Sequence, residues 1–118
     1  SNGFPNMFMT TGAGSPSVLA NMVLGAEQHV DWIANCIGYL DTHGATSIEA
    51  TAGSVDDWVT ECNEKAAGTL FPTANSWYMG ANIPGKPRVF MPYIGGFGNY
   101  GKILDDVATA GYKGFDLR

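Results

Sequence analysis

Between Leu19 and Leu40 the chain repeats apolar residues at spacings of three and four: Leu19, Met22, Val23, Ala26, Val30, Ile33, Ile37 and Leu40. On an α-helix these positions form one stripe. Asn21, Glu27, Gln28, Asp31 and Asn35 occupy the other faces. Ser15-Pro16 reads as an N-cap followed by proline at the first helical position, where its missing N–H costs nothing. His43-Gly44 supplies the stop. At ~1.5 Å per residue such a helix is roughly 40 Å long. A chain of 118 residues builds one domain with one core. The stripe is therefore longer than its own surroundings can cover, and predicts packing against something larger.

The other periodicities alternate in type. Residues 7–11 predict a short buried strand, entered with so little lead-in that the chain reads as a piece of something longer. TSIEAT, 46–51, predicts a weak strand. Ser54 and Asp57 then form an S-x-x-D cap for a second helix carrying Val55, Trp58, Val59, Cys62 and Ala66. RVFMPYI, 88–94, predicts a strand that Pro92 confines to an edge or a bulge. Ile103, Leu104, Val107 and Ala108 mark a third helix, and 114–117 a last strand. Short strands alternating with three amphipathic helices, one of them long, predict an α/β fold whose strand order stays open.

Charge excludes some functions. A net charge of −5 without a basic stripe argues against nucleic acid or an acidic membrane as partner. Only 14% of residues are charged, which predicts apolar surface that meets another domain or partner. No apolar run reaches the ~20 residues of a membrane span. Cys36 and Cys62 have no zinc spacing and read as buried free thiols, in a reducing, cytoplasmic setting.

Candidate sites are few. Gly12-Ala13-Gly14-Ser15, between a strand and a helix start, offers amide N–H groups and a helix dipole to an anion or an electron-rich ring edge. The alternative is that glycine serves the turn alone. Gly96 to Gly101 matches GxGxxG, with Asp116 where a dinucleotide fingerprint wants an acid. The chain runs out after Asp116 and Pro92 interrupts the preceding strand, so a glycine-rich turn is preferred. His29, with Trp32 three residues on, reads as packed. His43 reads as a helix C-terminal residue favoured by the dipole. Asp56-Asp57 and Asp105-Asp106 read as cap and solvent-facing charges. No spacing supports a metal site or nucleophilic catalysis, and no residue is assigned a catalytic role.

SWYMGANIPGKPR, 76–88, is the strongest signal. Gly80, Pro84, Gly85 and Pro87 deny it regular structure, while Trp77, Tyr78 and Ile83 argue against disorder. A long loop of this kind is functional and closes over something. Together with NMFMTTGAGSPSVLANMVLGAEQHVDWI, and with DDWVTECNEKAAGTLFPTAN before the loop and VFMPYIGGFGNYGKILDDVATAGYKGF after it, the loop resembles the C-terminal portion of Baeyer–Villiger monooxygenases of the cyclohexanone and phenylacetone type.

The resemblance implies part of a larger flavoprotein with two dinucleotide-binding domains, for FAD and NADP(H), that inserts one oxygen of O2 beside a ketone carbonyl. It implies that 1–44 ends the FAD-binding domain with the long helix, and that 45–118 is a C-terminal α/β part whose loop 76–88 covers NADP(H). Trp77 takes the position that reaches the nicotinamide ribose, with Asn82 beside it; a core anchor is the alternative for Trp77. Gly14, Ser15 and Met22 fall beside the flavin, and Ser17, Val18, Leu19 and Met22 border the substrate pocket. Ala13 stands where relatives usually carry Pro. The cofactor fingerprints, the FxGxxxHTxxWP-type signature and the catalytic Arg have no counterpart here. The chain alone is therefore expected to be inactive and to hold neither cofactor tightly. Its partners are the missing N-terminal part of the enzyme and a small ketone. The alternative is a stand-alone interaction module that forms homo-oligomers through the helix stripe.

Overall fold

The computed structural model describes residues 1–16 and 20–118. Helix α1 spans Met22–Thr42, α2 Ala52–Ala67 and α3 Phe97–Thr109. Two short strands, β1 (Ile48–Ala50) and β2 (Phe115–Leu117), pair antiparallel with Ile48 opposite Leu117 and Ala50 opposite Phe115. Single 3₁₀ turns occupy Phe71–Thr73 and Trp77–Met79. Among the described residues the fold is thus three helices and one two-stranded antiparallel ribbon, rather than a regular alternation of strands and helices.

Asn21 caps α1, not Ser15. Its side-chain oxygen accepts the N–H groups of Val23 and Leu24, both at 3.1 Å. Ser15 is spent inside its own turn, where its N–H and hydroxyl both donate to the Gly12 carbonyl (3.2 and 2.5 Å). The helix is consequently 21 residues, roughly 30 Å. It ends where His43 stacks on Tyr39 at 3.9 Å and Gly44 turns left-handed at φ +68°. The apolar stripe is not the buried face: of its described members only Leu40 is buried, beside Gly25, His29 and Cys36 from outside the stripe, while Val23, Val30 and Ile37 look outward, 71, 55 and 56% exposed.

Helix α2 is capped by Thr51, whose hydroxyl oxygen accepts the Ser54 N–H at 3.2 Å, so the S-x-x-D cap is not used. Helix α3 begins at Phe97, inside the GxGxxG match, which places Gly98 and Gly101 within the helix and removes the strand-to-helix turn a dinucleotide needs. At Gly101 a Cβ would lie 2.6 Å from Gln28 Nε2, so glycine lets α3 approach α1 there. Trp32 fastens the two helices by donating its indole N–H to the Leu104 carbonyl (3.0 Å).

Two predicted strands do not form. Residues 7–11 are broken by left-handed residues at both sides, Asn6 (φ 59°) and Thr11 (φ 49°). Asn6 instead borders β1, exchanging bonds with Ile48: its N–H donates to the Ile48 carbonyl (2.9 Å) and its side-chain oxygen accepts the Ile48 N–H (3.0 Å). Along 88–94 the described residues form one isolated parallel bridge, Pro16 with Tyr93; Pro92 has no N–H with which to extend it.

Three small clusters share the interior. Cys36, Leu40, Ile48 and Tyr112 form one, Cys62, Tyr93 and Tyr100 a second, and Ala66, Met79 and Phe90 a third. Both cysteines are buried and unpaired, and burial pushes the Cys62 thiol up to about 11, away from thiolate chemistry. The molecule measures 46 × 29 × 20 Å. No helix among the described residues is long and apolar enough to cross a membrane.

Candidate functional site: a clamped glycine turn and an exposed loop

The turn from Thr11 to Ser15 is fastened from four directions. Thr11 donates its N–H to His29 Nδ1 (2.9 Å), and Gly14 donates its N–H to the Met91 carbonyl (2.6 Å). Trp58 Nε1 donates to the Gly14 carbonyl (3.1 Å), and Tyr93 N–H donates to the Ser15 carbonyl (2.9 Å). Gly14 is required twice over. Its φ is +78°, and a Cβ there would lie 2.5 Å from Trp58 Nε1. With the amides of Gly14 and Ser15 committed within the chain, and the α1 terminus at Met22, the expected anion seat is not formed at Gly14 and Ser15.

Loop 76–88 has a fixed base and an outward tip. Ser76 Oγ accepts the Tyr78 N–H (3.2 Å), Gly80 closes the 3₁₀ turn at φ +69°, and Met79 is buried. Arg88 donates to Asn75 Oδ1 (2.9 Å), tying one end of the loop to the residue that precedes it. Trp77 lies against Tyr78 with ring centroids 4.0 Å apart and is 60% exposed, so it is not a core anchor. Asn82 and Lys86 are exposed.

Met91 joins the two parts. Its carbonyl accepts from Gly14 and its N–H donates to the Tyr78 carbonyl at 3.0 Å. A cavity of about 220 Å³ runs beside this link, lined by Pro16, Asn21, Leu24, Tyr78, Tyr93 and Phe97 among others. Met22 is half-exposed on the first turn of α1. Ser17, Val18 and Leu19 lie outside the described residues. Leu24, Tyr78 and Phe97 are wall residues that sequence reasoning did not single out; only their apolar character next to the glycine turns could have signalled them. A larger cavity, about 520 Å³, lies under the turn and is bordered by His29, Trp58, Tyr100 and Phe115.

His29 is packed as expected, but with partners that its sequence neighbours do not reveal. Besides Thr11 it meets Tyr100 Oη through Nε2 at 2.9 Å. Burial lowers its pKa, and pushes the Tyr100 phenol up to about 12, so both are neutral near pH 7. Among the described residues no group of three or more His, Cys, Asp or Glu could hold a metal ion.

These residues fit the two implied cofactors unequally. A flavin edge that seeks N–H donors would not find them at Gly14 or Ser15. The apolar cavity wall and the half-exposed Met22 and Leu24 suit the flat side of a ring system, and the exposed Trp77 on a preformed turn suits a cover for a nucleotide.

No family model matches the chain. Comparison with individual proteins places it among flavoprotein monooxygenases, whose relatives bind FAD and NADP. It is 43% identical over 117 residues to an acetone monooxygenase (methyl acetate-forming) from Gordonia sp. (strain TY-5), covering 98% of this chain and 22% of that one. A steroid monooxygenase structure bound to NADP superposes with a TM-score of 0.90 at 56% identity, over 99% of this chain and 21% of that one. The closed crystal structure of cyclohexanone monooxygenase gives 0.89 at 40% identity, over 98% and 21%. The chain is a portion of a Baeyer–Villiger monooxygenase. It spans about a fifth of the length of the curated relatives it matches.

Proposed function

We propose that residues 1–118 serve as the C-terminal segment of a cytoplasmic Baeyer–Villiger monooxygenase, giving one wall of the flavin and ketone pocket and the lid over NADP(H). FAD, when bound and reduced by NADPH, supplies the oxygen-transfer chemistry beside the ketone carbonyl. The chain's own residues bind and shield. Residues 1–44 end the FAD-binding domain, where the clamped turn at Gly14 and Ser15 carries the backbone past the ring and Met22, with Ser17, Val18 and Leu19, borders the ketone. Residues 45–118 form the part whose loop closes, Trp77 covering the nicotinamide ribose and Asn82 lying beside it. Glycines at 80 and 85, both at positive φ, let the loop tip hinge while Met79 holds its base.

The observation that carries this reading is an aromatic ring left exposed on an ordered, internally bonded turn, whose base is bonded through Met91 to the glycine turn. Water must be kept from the reacting flavin, and this chain offers one wall and a cover, not an enclosure. Alone it is inactive. Grafted in place of the matching segment of the steroid monooxygenase, residues 1–118 should preserve ketone-dependent NADPH oxidation. The isolated chain with added FAD and ketone should show none above a protein-free control, and activity there would refute the reading.

The outward row Val23, Val30 and Ile37 favours one other reading, a homo-oligomerising module derived from such an enzyme. A stable dimer of the isolated chain at low micromolar concentration supports it. Association with the N-terminal part of a relative, in preference to self-association, supports the enzyme segment.

A further inference from the structure

We propose that His29 is a positioning residue, whose imidazole, held between Thr11 and Tyr100, fixes the glycine turn in the shape it presents to the cofactor. This rests on the reading that the turn flanks the flavin. His29 is 7% exposed and projects from α1 between two unlike partners. Nδ1 faces a backbone donor, the Thr11 N–H at 2.9 Å, so it must carry a lone pair. The ring proton therefore resides on Nε2 and is donated to Tyr100 Oη at 2.9 Å. The imidazole is held in one tautomer by its own neighbours, as a strut requires.

The position of this strut matters more than its strength. Thr11 is β-branched and sits at φ 49°, a conformation such residues avoid unless the surroundings impose it. His29 supplies the acceptor toward which that conformation turns the Thr11 N–H. The far end of the turn is governed by the same group of rings. Tyr100, the second partner of His29, lies 5.6 Å from the Tyr93 ring and 6.2 Å from that of Trp58. The Trp58 indole holds the Gly14 carbonyl, and the main-chain N–H of Tyr93 holds that of Ser15. One buried imidazole thus touches the entry to the turn directly and its exit through two rings in succession, Tyr100 and the Trp58 indole that bonds the Gly14 carbonyl.

The test is amide hydrogen exchange of the 118-residue chain by NMR, comparing wild type with His29→Phe, His29→Asn and His29→Gln. Phe abolishes the acceptor, Asn keeps an oxygen near the place of Nδ1, and Gln reaches toward Tyr100 instead. Exchange at Thr11 should rise tenfold or more in the Phe variant, with Gly14 following, and Asn should restore most of the protection. Amides of α2 around Cys62 should not change. Should the Phe variant unfold, Asn against Gln decides, because only Gln should expose Thr11. Unchanged exchange at Thr11 and Gly14 overturns the proposal. The same variants in the steroid monooxygenase graft then report on the flavin through its visible circular dichroism, which Phe should alter and Asn restore. Raised exchange with an unaltered flavin spectrum in every variant overturns the reading on which the proposal rests.

Discussion

Gly14→Ala separates two demands that the turn places on one residue. The Ala Cβ would lie 2.5 Å from Trp58 Nε1, and the backbone there has φ +78°. Holding an L-residue in the left-handed region costs roughly 1–2 kcal/mol. Relieving the overlap pushes the indole off the Gly14 carbonyl, which forfeits a hydrogen bond of about 1 kcal/mol. It also disturbs the stacking of Trp58 on Tyr93, whose centroids are 5.2 Å apart, an arrangement worth roughly 0.5–1.5 kcal/mol beyond area burial. The whole loss is about 3 kcal/mol, and with m near ~1.5 kcal/mol/M the urea midpoint should fall by about 2 M. Gly85→Ala is the control, since Gly85 has the same φ of +78° but nothing within 4 Å of a Cβ. It should cost only the backbone part. Urea titrations followed by near-ultraviolet circular dichroism of the tryptophans would measure both. If Gly14→Ala proves no more destabilising than Gly85→Ala, the Trp58 contact does not hold the turn, and the clamp as described is wrong.

Lowering the pH should weaken the fold through His29. Its folded pKa lies below the unfolded value of 6.5, so the unfolded state binds the extra proton first; stability is full above pH ~6.5 and declines as pH falls from there through the folded pKa. Urea midpoints between pH 8 and 5 should show this decline, and His29→Asn should flatten it; a midpoint that climbs on acidification contradicts the assignment. Val30→Glu and Ile37→Glu should each change the stability of the isolated chain by less than ~0.5 kcal/mol, because the two side chains face outward. In the grafted enzyme the same substitutions should reduce soluble, FAD-loaded protein several-fold, read as the flavin-to-protein absorbance ratio. Trp77→Ala should leave the urea midpoint of the chain within error, since the ring is mostly exposed. In the graft it should weaken NADP+ binding about tenfold, the ~1.4 kcal/mol expected for an aromatic cover, measured by titration calorimetry.

The presence of the three helices was legible because spacings of three and four depend only on neighbours along the chain, but the buried face of α1 was not, since Gly25, His29 and Cys36 rather than the apolar stripe turn inward with Leu40. The starting points of the helices were not legible either. Ser15 and Asn21 are both good caps, and the choice fell to Asn21 because the Gly12 carbonyl engages both the hydroxyl and the N–H of Ser15. Ser54 likewise fits a cap pattern, yet it is Thr51 that caps α2, by accepting the Ser54 N–H. Residues 7–11 and 88–94 are apolar enough for strands, yet a short apolar run does not say whether it will find a ladder. Here the first is bent by left-handed residues and the second meets a proline. At the site, the Gly and Pro content of 76–88 denied the loop a long regular element, but did not reveal that Trp77 would stand exposed on the 3₁₀ turn at its base. The contacts that shape the glycine turn join residues far apart in sequence, such as Trp58 to Gly14 and His29 to Tyr100, and no local pattern encodes them.

Met91 sets a length. The turn and the loop are each bonded to the main chain of this one residue, Gly14 to its carbonyl and Tyr78 to its N–H. Both bonds are made by backbone, so they survive any side chain at position 91 except proline, which has no N–H. The spacer they form is vulnerable to arithmetic instead. Removing one residue between 88 and 92 would slide the spacer by ~3.3 Å, the rise of one extended residue, and offer each part the wrong peptide group. Under the proposed function, in which the turn flanks a ring system and the loop covers a nucleotide, a change of length here is more damaging than a change of side chain.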